Sequence, residues 1–250
     1  MRRISAAQIV AFVLMSCAIV ALGISATAFL FGTLPLGDFR GVALTALALV
    51  LTYLVAFLGY RLFLRRFPLT EGEIDERSPQ EFAANINILF YLIFFNPLIR
   101  THVIPVPLLR LIYLALGAKL GRNTYIAGVA LDPPLTIVGD NCLIGHGATL
   151  FSHAIEGRRL ALKAIRIGNE VTVGAGAILM AGVTVGDGAI VSAGAVVLKD
   201  THIGPREVWG GVPARLLKRL DAPAATDRES GKTANACPDG DAPAPPVRRL

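Results

Sequence analysis

Residues 167–204 read IGNEVTVGAGAILMAGVTVGDGAIVSAGAVVLKDTHIG, and an aliphatic side chain returns at every sixth position: Ile167, Val173, Leu179, Val185, Val191, Val197 and Ile203. Upstream the same step runs through Leu120, Ile126, Asp132, Val138, Ile144 and Leu150, and between the two runs the register slips by five residues. Twelve of these thirteen slots hold Leu, Ile or Val, and Asp132 is the exception. An apolar chain could produce one such column by chance. The slot two residues later, from Arg122 and Gly128 through His146 and Asn169 to Ala193 and Lys199, contains no Leu, Ile or Val. The slot four residues on is small or β-branched, as at Thr124, Ala130, Cys142, Ala177 and Ala195, and Gly follows the aliphatic slot seven times. No α-helix has a period of six, and simple strand alternation would not keep aliphatics out of the second slot.

The repeat implies a parallel β-helix: each hexad gives one short strand and one turn, and three hexads close a triangular coil. The aliphatic residue points inward onto its equivalent 18 residues away, the small residue fits the corner, and Gly permits an otherwise strained turn. Cys142, in a small-residue slot, reads as a buried packing residue.

The rest of the chain is of another kind. Over 250 residues 54% are hydrophobic and only 17% charged, with a mean hydropathy of +0.59, which excludes overall disorder and points to a membrane. No charge occurs in the 23 residues from Ile9 to Phe31, and after Gly37-Asp38-Phe39-Arg40 the apolar run resumes from Val42 to Tyr60. The expectation is two transmembrane helices, with residues 1–66 forming a hairpin. Arg2 and Arg3 precede it, Arg61, Arg65 and Arg66 follow it, and Arg40 alone lies in the loop. The positive-inside rule therefore places both termini on the cytoplasmic face of a bacterial-type inner membrane. A cleaved signal peptide ending at Ala26-Thr27-Ala28 is the competing reading, although the apolar run continues past that point.

Residues 67–118 read as a membrane-surface helical connector: a polar, acidic linker or short helix over 67–81, an apolar stretch Ile88–Phe95 too short to span, and a leucine-rich helical pattern from Val106 to Lys119, the last two lying at the membrane surface or packed on the next domain. The β-helix is expected over residues 119–206, followed by a segment over 207–220. An Ala-, Pro- and Asp-rich disordered tail containing Cys237 is expected over 221–250. The three cysteines, Cys17, Cys142 and Cys237, suit neither a disulfide framework nor a zinc cluster. The net charge of +6 is not arranged as a basic run with interleaved aromatics, so nucleic acid is not an expected partner.

The segments Ile167-Gly168-Asn169-Glu170-Val171, Val185-Gly186-Asp187-Gly188-Ala189 and Gly211-Val212-Pro213-Ala214-Arg215 resemble the hexapeptide-repeat acyltransferases over roughly residues 117–220. The stretch Leu150-Phe151-Ser152-His153-Ala154 is similar to the β-helix modules of membrane-anchored peptide synthetases and to the galactoside and maltose acetyltransferases. The resemblance implies a left-handed coil, a homotrimer, and acyl-CoA, in the first place acetyl-CoA, as co-substrate without a metal.

Acyl transfer from a thioester needs a base for the acceptor hydroxyl or amine and a donor for the developing oxyanion. His153 is the candidate base, since it lies at the register break beside the insertion Ile155 to Leu160, and the resemblance puts the superfamily's catalytic His there. His146, in an outward slot, is the second candidate, ahead of His102 and His202. Glu156 is a candidate to orient the imidazole, and Asp132 is either a bulged turn or an acidic group lining the site. Ala175 and Ala193, one coil apart in the outward slot, would leave room for an extended pantetheine arm, and Lys199, Arg215 and Lys218 would suit nucleotide phosphates. The resemblance matches Ala175, Ala193, Leu198, Lys199, Arg215 and Lys218 to CoA-contacting positions. The expected acceptor is a glycan, lipid or amine of the cell envelope. The alternatives are a non-catalytic scaffold and a γ-type carbonic anhydrase, which needs three metal-binding histidines.

Overall fold

A computed structural model of the protein describes residues 5–35, 37–101, 103–157 and 159–221. His102, Cys237 and the expected disordered tail from residue 222 onward lie outside the described residues.

The hexads form three flat faces of a β-helix. The first face stacks Lys119–Leu120, Thr136–Val138, Ile165–Ile167, Thr184–Val185 and His202–Ile203. The second stacks Tyr125–Ile126, Leu143–Ile144, Thr172–Val173, Ile190–Val191 and Glu207–Gly210, with Arg215–Arg219 folding back antiparallel on the last. The third stacks Val129–Ala130, Thr149–Leu150, Ile178–Leu179 and Val196–Val197. Pairing between coils is parallel, with Val173 opposite Val191 and Leu179 opposite Val197. The inward columns are closed to solvent: Ile126, Ile144, Leu150, Leu179, Val191 and Val197 are all 0% exposed, as are the small residues Ala148, Ala177, Ala189 and Ala195. Cys142 is buried among them, its thiol donating to the carbonyl of Gly168 at 3.0 Å, and burial pushes its pKa up.

The turn chemistry differs from expectation in one respect. The Gly that follows the aliphatic slot is needed for close approach: a Cβ on Gly174 would lie 2.3 Å from the backbone N of Ala193 in the next coil. The left-handed residue comes two positions later, at Gly147, Gly176, Gly188 and Gly194, and also at Asn123, Asn141 and Asp200.

Asp132 is not in the aliphatic column. Ala130 takes that place, opposite Leu150, and the chain then leaves the strand through Leu131 and Asp132 into a short 3-10 turn, Pro133–Leu135. The prolines set the helical φ and have no N–H to satisfy in a first turn. The second departure is the inserted loop, a β-hairpin of His153–Glu156 and Arg159–Leu162. Beyond it the coil resumes in register, with Leu150 opposite Leu179.

Three helices, rather than two, are long and apolar enough to cross a membrane by length and composition: Ala6–Phe31, Gly37–Arg66 and Pro79–Arg100. The first two pack as a hairpin so close that a Cβ on Gly23 would lie 2.2 Å from Thr52 Oγ1. The third runs through Asn85, Asn87 and Asn96, which divided the apolar stretch in the sequence. The helix continues through them, and two of the asparagines bond to the first two helices. Asn87 accepts from the Tyr60 hydroxyl at 2.5 Å, and Asn85 donates to Gln8 at 3.2 Å. A π-helical turn, Tyr91–Phe95, precedes Pro97, which has no N–H to offer the helix ladder. The acidic linker also contains a strand, Gly72–Ile74, which pairs antiparallel with Leu160–Leu162 of the inserted hairpin. Ile74, Ala84, Leu135, Leu160, Leu162 and Ala164 form a small core there, clamped by the ion pair of Glu71 with Arg166.

The inward column carries the stability of the coil. Leu179→Ala, at a fully buried site, should cost about 2–5 kcal/mol. Thr172→Ala, at an exposed position on the second face, should stay within about 0.5 kcal/mol. Denaturant unfolding followed by circular dichroism at a strand wavelength checks both.

Candidate active site

Both interruptions of the repeat meet at one point. Leaving the third face at Leu150, the chain passes through the buried Ser152 into His153, the first residue of the hairpin. Asp132, displaced from its column one coil earlier, lies against it. One carboxylate oxygen of Asp132, Oδ2, accepts from the backbone N–H of Ser152 at 3.0 Å and lies 2.7 Å from Nδ1 of His153. Asp132 is 1% exposed, and its other oxygen is buried without a hydrogen-bond partner among the described residues.

A carboxylate next to Nδ1 fixes the ring's chemistry. The ring donates its Nδ1 proton to the carboxylate, so in the neutral form Nε2 carries the free lone pair. Burial by itself lowers the His153 pKa, but the hydrogen bond and the charge of Asp132 outweigh it and hold the imidazole above its ordinary 6.5. Such a pair can accept a proton at Nε2 and stabilise the resulting imidazolium. The expectation that Glu156 orients the ring is corrected: Glu156 points to Lys199, with which it forms an ion pair at the surface, and the orienting carboxylate is Asp132. Asp132 answers to both readings: it sits where the chain turns out of the strand into Pro133–Leu135, and its carboxylate lies beside the candidate base.

A cavity of about 270 Å³ adjoins His153, lined by Phe151, Ala154, Ile155, Glu156, Met180, Ala181 and Lys199. A second of about 130 Å³ shares Ala154, Glu156, Ala181 and Lys199 and continues to Lys163 and Asp200, themselves paired at 2.7 Å. Phe151–His153, Met180–Ala181 and Leu198–Lys199 occupy successive coils at the corner that follows the third face, and the inserted hairpin with Gly72 and Glu73 of the linker strand walls the second cavity.

The other candidates sit at a different corner. His146, Ala175 and Ala193 stack in successive coils after the second face: the N–H of Gly176 donates to the His146 carbonyl at 2.9 Å, and that of Gly194 to the Ala175 carbonyl at 2.9 Å. Ala175 and Ala193 are exposed, as an outward slot requires. His146 lines a third cavity, of about 230 Å³, with Ile99, Arg100, Gly128, Val129 and Thr149. Arg215 and Lys218 are exposed on the strand that folds back along the second face, apart from Lys199 at the hairpin corner. One chain thus separates the candidate base, with Leu198 and Lys199, from the Ala175 and Ala193 column. Sequence reading missed Ser152, whose N–H helps hold Asp132, and the 72–74 strand that braces the hairpin. Asp132 stood out as the one polar residue in an otherwise aliphatic column, whereas Ser152 carries no such mark.

Two repeat families match the coil. The family described as bacterial transferase hexapeptide (six repeats) matches residues 164–199, and that described as hexapeptide repeat of succinyl-transferase matches residues 135–155. Among curated proteins the chain is similar to γ-carbonic anhydrase 1, mitochondrial, of Arabidopsis thaliana, 42% identical over 34% of this chain and 26% of that protein. It is similar to serine acetyltransferase 3, mitochondrial, of the same plant, 35% identical over 47% of this chain and 29% of that protein. It is also similar to the δ-poly-L-ornithine synthetase of Acinetobacter baumannii (strain AB307-0294), 31% identical over 46% of this chain and 9% of that protein. In each case the match spans less than a third of the relative's length. With two repeat families falling on the coil built by its own hexads, this chain carries a hexapeptide-repeat β-helix and resembles the hexapeptide-repeat acyltransferases.

Proposed function

We propose that this protein is a membrane-anchored acyltransferase. It moves an acetyl or other acyl group from acyl-CoA to a hydroxyl or amino group of a cell-envelope glycan, lipid or small-molecule acceptor, with His153 as general base. The observation that carries the reading is the His153–Asp132 contact of 2.7 Å, beside a cavity at the corner where the hairpin is inserted. The match to the transferase repeat and to a serine acetyltransferase supports it.

In this mechanism Nε2 of His153 takes the proton of the acceptor as its oxygen or nitrogen attacks the thioester carbonyl. Asp132 stabilises the imidazolium that forms. A backbone N–H of the coil holds the oxyanion. The tetrahedral intermediate collapses with cleavage of the C–S bond, and the imidazolium returns its proton to the departing CoA thiolate. The exposed Ala175 and Ala193 leave an unobstructed track for pantetheine, and Arg215 and Lys218 suit the nucleotide phosphates. Because that track and His153 lie on different corners of one chain, the reading includes a homotrimer in which one copy's track faces another's His153. The left-handed sense of the coil and this assembly rest on the resemblance. The hairpin Ala6–Phe31 and Gly37–Arg66 anchors the protein in an inner membrane, with both termini on the cytoplasmic side where CoA is available.

The similarity to a γ-carbonic anhydrase favours a second reading. It requires three imidazoles on one metal. The described histidines occupy three separate places on the chain: His146 on one corner, His153 on the next, and His202 on a first-face strand. Zinc that co-purifies stoichiometrically and supports CO₂ hydration would establish that reading instead.

His153→Ala should lower kcat by about 10²–10⁴ and leave the KM for acyl-CoA nearly unchanged, whereas Arg215→Ala should raise that KM more than it lowers kcat. Steady-state kinetics with acetyl-CoA and thiol detection separates the two. Unchanged turnover in His153→Ala would remove His153 as the base and make His146 the next candidate, whereas no turnover in the wild-type chain would favour the scaffold reading.

The pH dependence has a definite sign. The base works only when neutral, and Asp132 raises the His153 pKa, so kcat/KM should climb with pH through a value above the ordinary 6.5 of histidine. In Asp132→Asn the burial that lowers the pKa is unopposed. The acidic limb should then move to lower pH while the plateau falls, because Asn no longer holds the ring in the required tautomer. A pH–rate profile of the two proteins measures both effects.

A further inference from the structure

We propose that the third long apolar helix, Pro79–Arg100, does not cross the membrane but lies against one face of it. On this view Leu92, Ile93, Val103, Leu108 and Leu111 rest in the leaflet nearest the coil, and the arginines around them meet anionic headgroups. The proposal rests on the anchored reading above.

By length and composition this helix is as eligible to span as the other two, but it is buried differently. Of its most apolar window 44% is buried inside the protein, against 17% and 6% for the first two helices. Both of its ends are tied to the coil. Just before it, Gly72–Ile74 pairs with Leu160–Leu162 of the hairpin, and Glu71 accepts from the backbone N–H of Ala164 at 3.1 Å. Its last residues, Ile99 and Arg100, border Ala127, Gly128, Val129 and His146 of the first coils. The next helix, Val106–Ala115, stays on the same side: Tyr113 donates to the Gly128 carbonyl at 2.8 Å, and Arg110 to the Gly121 carbonyl at 2.9 Å. A helix of 22 residues is about 33 Å long, close to the thickness of the hydrocarbon core. If it crossed, its far end would be carried away from the coil that its near end touches.

Its contacts with the hairpin agree. The ring and side-chain contacts fall on Gln8 and Phe12 at the start of the first helix and on Phe57, Tyr60, Phe63 and Phe67 at the end of the second. Those are the turns of the hairpin nearest to the arginines Arg61, Arg65 and Arg66. A spanning helix would run along the hairpin's whole length.

What covers the outward side follows from continuity. Leu92, Ile93, Leu108 and Leu111 are about half exposed, and Val103 is 80% exposed. Leu58 and Leu62, on the neighbouring turns of the second helix, are also exposed and belong to the surface the anchored reading gives to lipid. Arg61, Arg65, Arg66 and Arg100 are exposed beside them, as a collar at an anionic headgroup layer requires. The surface therefore fits a bilayer rather than a soluble partner. It also leaves an even number of crossings, which keeps the N-terminus and the coil on one side.

The test uses the full chain in sealed proteoliposomes containing phosphatidylglycerol, with its native cysteines replaced and single cysteines introduced as Pro35→Cys, Glu73→Cys, Arg122→Cys and Ile93→Cys. A membrane-impermeant maleimide should reach positions 73 and 122 from one face and position 35 from the other. A fluorophore at position 93 should be quenched by brominated lipid. Labelling of positions 73 and 122 from opposite faces would overturn the proposal while leaving the anchor intact. An unquenched probe at position 93 would overturn the contact with lipid. Labelling of all three loop positions from the same face would remove the spanning hairpin, and this proposal with it.

Discussion

Everything in this protein is arranged around the stacking of one coil upon the next. The constraint is geometric. Parallel pairing sets each strand directly on its equivalent, as at Val173 and Val191, and leaves the interior only one aliphatic and one small side chain per hexad. At Gly174 it leaves no room even for a Cβ. Among the described coils the repeat is broken at Asp132 and at His153, and the two breaks are in contact.

That coincidence explains why a buried carboxylate is tolerated. Asp132 loses its hydration almost completely, at a cost that only strong partners offset. The Ser152 N–H and the His153 ring supply them. The hairpin that carries His153 is in turn held by Leu160 and Leu162 against Ile74, Ala84 and Leu135. Through Ile74 and Ala84, the segment after the helix Gly37–Arg66 and the helix Pro79–Arg100 both brace the site. The helical segment that precedes the coil and the candidate site are thus joined by direct packing and strand pairing.

The repeat was legible in the sequence because its signal is local and redundant: one misplaced residue does not obscure twelve aliphatic slots. The same redundancy misplaced Asp132. A fixed step of six put it in the column, while the structure gives that place to Ala130 and lets the Pro133-Pro134 turn take up the slack. His153 was legible as an irregularity beside an insertion, but its partner was not. Glu156 is near in sequence, whereas Asp132 lies 21 residues away and is brought to the ring only by coil closure. Likewise Asn85 and Asn87 interrupt an apolar run on paper, and only the packing of Gln8 and Tyr60 against them shows why the helix continues. The short strand Gly72–Ile74 has no signal of its own, since its partner is the far edge of the inserted hairpin.

The central claim is that His153, poised by Asp132, transfers an acyl group from CoA to an envelope acceptor. Its most direct test is mass spectrometry of lipids and glycans from cells supplied with isotopically labelled acetate, expressing either the wild-type chain or His153→Ala at equal membrane abundance. The account predicts at least one species that carries a labelled acyl group with the wild-type chain and lacks it with the variant. Identical acyl patterns in the two, with a wild-type chain shown to bind acyl-CoA, would contradict it.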